Sequence, residues 1–142
     1  VLEHATEAHL LADKLAEMRV PVVLGPIIFS RRGTELRNLS PANAAILEER
    51  GVLLSLTTDH PAIPIQYLQV VAGVAEAEGL KDGLKAITIN AARIAGVSNL
   101  VGSIEPGKDA DLVVFDGDPT EVGSRVRYTI LDGSIAYQEG SG

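Results

Sequence analysis

From Thr6 to Met18 the apolar residues Ala8, Leu11, Ala12, Leu15 and Met18 recur every three or four positions, the stripe of an amphipathic helix, and Glu7 stands near its positive end. The period then changes. Val20-Pro21-Val22-Val23-Leu24 is short, β-branched and closed by Gly25-Pro26, the pattern of a strand buried on both faces. Ile27 to Leu39 mixes Ile28 and Phe29 with Arg31, Arg32, Gly33 and Arg37 without a period, and is predicted to be a long loop. Ser40 offers a capping hydroxyl, Pro41 suits a first helical position and Gly51 suits a left-handed stop, which predicts a helix over 41–50. Val52 to Thr57 is a second apolar strand, ending in the polar step Thr58-Asp59-His60-Pro61.

Ile65, Leu68, Val71, Ala72 and Ala75 mark a third helical stripe that ends at Gly79, and two shorter helices follow, Leu80 to Ile87 and Ile89 to Ala95, with Thr88 as the expected cap and Gly96 as the stop. Alternating helices and buried strands describe βα units around a parallel sheet, since parallel strands need crossover helices. The pattern changes after Gly96. Residues 110–115, Val126 to Leu131 and Ser134 to Gln138 read as strands, the last two joined by Asp132-Gly133, a strong two-residue hairpin signal. With that turn Ile130 would face Ile135 and Tyr128 would face Tyr137, and Val126, these two Tyr and both Ile would share one side.

Composition narrows the chemistry. The chain of 142 residues is 46% apolar, enough for a real core. Twelve Lys and Arg against 19 Asp and Glu give a formal charge of -7, which disfavours nucleic acid and anionic membrane surfaces. There is no Cys, so any zinc-like site must use His and carboxylates. No apolar run approaches the roughly 18 to 20 residues of a membrane span. Val1 opens the chain without the basic start and apolar core of a signal peptide, so a cytoplasmic location is the expectation. Without an initiating Met, the chain is expected to be a cut piece of a longer one.

His4 and His60 stand where strands should end, His60 beside Asp59. In parallel α/β folds ligands lie at the C-terminal ends of strands, so these side chains are candidates for a site. Each also suits a helix cap or a turn, and spacing alone leaves both roles open. His9, five residues from His4, would lie about 140° round a helix and could not join it on one ion from one face; it is expected at the surface.

Thr58-Asp59-His60-Pro61, then Ile87 to Gly96, then the run Val101-Gly102-Ser103-Ile104-Glu105-Pro106-Gly107-Lys108-Asp109-Ala110-Asp111-Leu112-Val113-Val114, and finally the Asp-Gly hairpin together resemble the amidohydrolase superfamily, with a close match to the imidazolonepropionase-like and related members. The resemblance covers essentially the whole chain in order. It implies the C-terminal portion of a metal-dependent hydrolase (β/α)8 barrel, about strands 6 to 8, over residues 1–96. Residues 97–142 would then be the C-terminal strands of a small composite β domain. It further implies one or two divalent metals, zinc by preference, held by a His-x-His after strand 1, a Lys or Glu after strand 4, a His after each of strands 5 and 6, and an Asp after strand 8.

Matched by position, His4 resembles the strand 6 ligand, and Asp59 the strand 8 ligand and catalytic base. The other ligand positions are absent, so the chain alone is expected to hold no complete site. His60, Arg31 and Arg32 are candidate substrate contacts, the arginines because a guanidinium fork can hold a carboxylate. Lys108 and Asp111 belong to the diagnostic run and are expected to be structural. The implied reaction is hydrolysis of an amide, cyclic amide or peptide-like C–N bond by a metal-activated water. The alternative is a non-catalytic fragment, or one half of a split protein, that associates without binding metal. An incomplete barrel leaves open strand edges, so a homo-oligomer or association with the missing N-terminal part is expected.

Overall fold

A computed structural model of the protein describes residues 1–30 and 33–140. It is a mixed α/β structure with two three-stranded sheets. The first is parallel, in the order β1 (Leu2–Glu3), β2 (Val22–Leu24), β3 (Leu54–Leu56), with Leu2 beside Val22, and Val22 and Leu24 beside Leu54 and Leu56. All of β3 and both Val22 and Leu24 are buried, as the unbroken apolar runs require when helices cover a parallel sheet.

The crossover helices are α1 (Ala12–Glu17), reached through a 3-10 turn at Ala8–Leu11, and α2 (Asn43–Glu49). Behind β3 follow α3 (Leu68–Ala77), α4 (Gly83–Ile87) and α5 (Ile89–Ala95). Val22, Leu24, Leu47, Leu54, Leu56 and Val71 form the centre of one continuous core with small residues from the helices. Gly83 lets α4 lie directly on α3, because a Cβ there would stand 2.7 Å from the Ala72 carbonyl oxygen. Gly73 does the same for α3 and the segment at Thr120, whose carbonyl oxygen would lie 2.1 Å from an added Cβ.

One helix stop is used four times. The residue past the helix is left-handed at Arg19, Gly51, Gly79 and Gly96. The next N–H then returns to a carbonyl five residues back: Val20 to Leu15, Val52 to Leu47, Leu80 to Ala75 and Val97 to Ala92. Three of these are the glycines expected from the sequence. Arg19 carries no such signal.

Several expected details differ. The first helix is split, and Leu11 and Met18 of the expected stripe are exposed while Ala8, Ala12 and Leu15 are buried. Ser40 Oγ accepts from the Ala42 N–H, so it caps a turn, and α2 begins two residues beyond Pro41. The cap of α4 is Asp82, which accepts the Lys85 N–H at 2.8 Å. Thr88 does not cap α5; its hydroxyl donates back to the Leu84 carbonyl, a bond available inside the preceding turn.

The second sheet is antiparallel, with β4 (Leu112–Phe115), β5 (Val126–Leu131) and β6 (Ser134–Gln138) in that order. Ile130 faces Ile135 as expected, but Tyr128 faces Gln138 and Thr129 faces Tyr137, because the register shifts between Thr129 and Ile130. An irregularity of one residue moves later side chains to the other face, which undoes the expected Tyr pair. This sheet contributes no buried residue, and Ile135 and Tyr137 are exposed. Between it and α4 and α5 runs an apolar groove of about 860 Å³, lined by Leu84, Ile87, Val101, Leu112 and Phe115 among others.

Candidate functional site

The parallel order of β1, β2 and β3 brings their C-terminal tips to one edge of the sheet. His4 directly follows β1, and Asp59 lies three residues past β3. Although 55 positions apart, they meet: His4 Nε2 lies 2.8 Å from Asp59 Oδ1, and with the proton on Nε2 the ring donates to the carboxylate. Both residues have a left-handed backbone, φ 53 at His4 and φ 50 at Asp59, a conformation uncommon outside glycine. Strain of that kind persists where surrounding contacts enforce it.

Those contacts are specific. The Thr6 N–H returns to the His4 carbonyl, and the Ala5 N–H donates to Val23 of β2. At the other partner, the Asp59 N–H donates to Thr57 Oγ1 at 3.1 Å, and the Asp59 carbonyl accepts the Ala62 N–H at 2.8 Å. The side chains of His4 and Asp59 are 59% and 39% exposed, so water screens their attraction and the pair adds little to folding stability. Its interest is chemical.

The donor set tests whether a metal suits the site. An imidazole nitrogen and a carboxylate oxygen that approach within 2.8 Å can both serve one zinc-like ion, whose bonds to such atoms are about 2.0 to 2.2 Å. The two donors fit in type and in convergence. Among the described residues, however, no group of three or more His, Cys, Asp or Glu comes together. The described residues therefore bring two possible donors together and no third.

The other candidates separate. His60 is exposed next to Asp59 and makes no side-chain hydrogen bond among the described residues. Arg31 and Arg32 lie outside the described residues. Arg37 is exposed at the end of a 3-10 turn, Thr34–Leu36. His9, expected at the surface, is half-buried, and its Nδ1 is buried without a partner among the described residues. Lys108 Nζ donates to Ser103 Oγ and pairs with Glu105, while Asp111 accepts the Asp132 N–H; both hold loops of the C-terminal region. The Ser103 hydroxyl, and then the Lys108 charge, keep the Glu105 carboxyl below its usual range.

Sequence reasoning missed Asn43. It is buried, and its Nδ2 donates to the Thr6 carbonyl at 3.1 Å and to the Asn38 carbonyl at 2.9 Å. Asn38 Nδ2 in turn donates to Glu7 Oε1 at 2.7 Å. These bonds clasp the segment after His4 to the long loop after β2. The available signal was a polar residue just ahead of the buried Ala44 and Leu47.

Residues 1–138 match the family model described as the amidohydrolase family. The chain is 36% identical over 110 residues to an imidazolonepropionase of Shouchella clausii, an alignment covering 73% of this chain and 23% of that one. Its fold superposes on the crystal structure of an amidohydrolase from Thermotoga maritima with a TM-score of 0.91 and 43% identity, over 96% of this chain and 36% of that one. An adenosine deaminase from Xanthomonas campestris with bound Zn shares the fold at a TM-score of 0.66 and 23% identity, over 94% of this chain and 36% of that one. The chain thus spans 23% to 32% of the length of the curated relatives it matches first.

Proposed function

We propose that this chain, which belongs to the amidohydrolase family, supplies two ligands of a divalent metal, His4 and Asp59, to a hydrolase that cleaves C–N bonds. In this reading β1, β2 and β3 are strands 6 to 8 of a (β/α)8 barrel formed by residues 1–96. Residues 97–142 give the C-terminal strands of a small composite β domain. The observation that carries the proposal is the 2.8 Å approach of His4 Nε2 to Asp59 Oδ1 at the tips of parallel strands. Zinc is the ion proposed, on the strength of the donor types and of the zinc bound by the Xanthomonas campestris adenosine deaminase.

When bound, such an ion polarises a carbonyl and lowers the pKa of a water molecule toward neutrality. His4 Nε2 and the Asp59 carboxylate would hold such an ion. The Asp59 carboxylate would also accept a proton from the attacking water and return it to the departing nitrogen. Asp59 is therefore both ligand and base. Tethering by Thr57 and Ala62 keeps the carboxylate at the strand tip during that transfer. His60, Arg31 and Arg32 are proposed to contact a small amide, cyclic amide or peptide-like substrate.

A second reading, in which this chain alone is non-catalytic, is favoured by the absence of a third His, Cys, Asp or Glu in the cluster among the described residues. Two ligands hold a divalent ion weakly, so the rest of a coordination sphere must come from elsewhere. The exposed Val1 and Leu2 at β1 and the apolar groove beside β4 support association, either with an N-terminal part or with a second copy. A cytoplasmic location without nucleic-acid or membrane partners belongs to the same proposal. The net charge of -7 disfavours nucleic acid and anionic membrane surfaces, and no helix among the described residues is long and apolar enough to cross a membrane.

Calorimetric titration of the chelator-stripped chain with zinc tests the ligand assignment. Weak binding of a single ion is expected, lost in both His4→Ala and Asp59→Ala. Undiminished binding in either variant would remove that residue from the ligand set. Amide hydrolysis by the zinc-loaded chain alone would overturn the non-catalytic reading.

A further inference from the structure

Asp59 sits in a left-handed conformation with its carboxylate turned to His4, and something must hold it there. Thr57 is placed to do so. Its N–H donates to the Leu24 carbonyl at 3.0 Å, the last bond between the ends of β2 and β3. Its carbonyl oxygen lies over Gly25, 2.3 Å from where a Cβ would stand, so only a glycine at the tip of β2 admits it. The backbone of Thr57 is therefore registered to β2, and its hydroxyl takes the Asp59 N–H. On the other side of β2, the residue after His4 is also bonded to that strand, Ala5 N–H to Val23. One strand is the common reference for both members of the pair.

We infer that Thr57, seated by Gly25, is a positioning residue that aims the Asp59 carboxylate at His4, a role that rests on reading these two as ligands of one ion. Thr57 acts through its hydrogen bond to the Asp59 N–H. Thr57→Val keeps the shape and the backbone bonds and removes the acceptor for the Asp59 N–H, whereas Thr57→Ser keeps the acceptor.

The test uses the 142-residue chain in two arms, each preceded by far-ultraviolet circular dichroism and urea unfolding to establish that the variant folds. In zinc titrations Thr57→Val should bind about tenfold or more weakly, the usual effect of removing a group that orients a ligand, and Thr57→Ser should bind like the parent. In the metal-free chain, the His4 ring nitrogen resonances should move in Thr57→Val toward their position in Asp59→Asn and stay in place in Thr57→Ser. If Thr57→Val does not fold, Thr57→Ala carries the same arms. Parental zinc affinity and parental His4 resonances in Thr57→Val would overturn the inference, as would a Thr57→Ser variant as impaired as Thr57→Val. If the parent binds no zinc, the ligand reading fails by itself and the ring resonances still decide the role of Thr57.

Discussion

Replacing Asn43 with alanine should cost this protein far more than an ordinary change at a helix start. Asn43 is 4% exposed, and both hydrogens of its amide are used, one on the Thr6 carbonyl and one on the Asn38 carbonyl. Loss of two neutral hydrogen bonds with partly buried acceptors costs about 1 to 3 kcal/mol. Alanine recovers about 0.5 kcal/mol through its better helix propensity, too little to cancel the loss. Asn38→Ala provides the contrast, because it removes only the exposed bond to Glu7 and should cost under about 1 kcal/mol. Urea unfolding followed by circular dichroism reads both. A net loss of about 1.5 kcal/mol, with a slope of about 2 kcal/mol per molar, lowers the Asn43→Ala midpoint by about 0.8 M. Trypsin should also cut faster after Arg37, in the loop that the clasp holds. A midpoint for Asn43→Ala no lower than that of Asn38→Ala would refute the idea that the buried amide ties the two loops.

Gly73→Ala pits two effects against each other. Helix propensity alone would stabilise α3 by about 1 kcal/mol. The new Cβ, however, would stand 2.1 Å from the Thr120 carbonyl oxygen, and overpacking costs about 1 to 3 kcal/mol, so a lower melting temperature is expected. A higher one would mean that the Thr120 segment does not pack on α3. Asp82→Ala removes the cap of α4 and should cost about 1 kcal/mol at neutral pH by thermal unfolding. The hydrogen bond from Lys85 keeps the Asp82 carboxyl below its usual range, so its contribution is present above the unfolded-state value and lost as pH falls through the lowered folded one. The gap between Asp82→Ala and the parent should therefore close in acid; a gap independent of pH would show that the charge plays no part.

Helix and strand order was legible because periodicity and turn chemistry are local. The apolar runs before Gly25 and before Thr57 became β2 and β3, and three of the four left-handed helix stops carry the glycine that announces them. The fourth, Arg19, was not legible, because there the Val20 N–H closes back on the Leu15 carbonyl without a residue that prefers the left-handed conformation. The Tyr128 pairing failed for a related reason: an irregularity in a ladder depends on both strands and their neighbours, and nothing in either strand alone marks it.

At the candidate site, the residue types that could bind a metal were readable one by one, since each stands at the end of a predicted strand. That His4 and Asp59 come within 2.8 Å was a matter of strand order, parallel direction and register, which are set by how the crossovers at α1 and α2 pack. Asn43 and Thr57 belong to the same class. Their sequence neighbourhoods are unremarkable, and their roles arise from carbonyls and N–H groups brought to them by other parts of the chain. Local chemistry is written in order along the chain, whereas a meeting of residues 55 positions apart exists only once the sheet between them has formed.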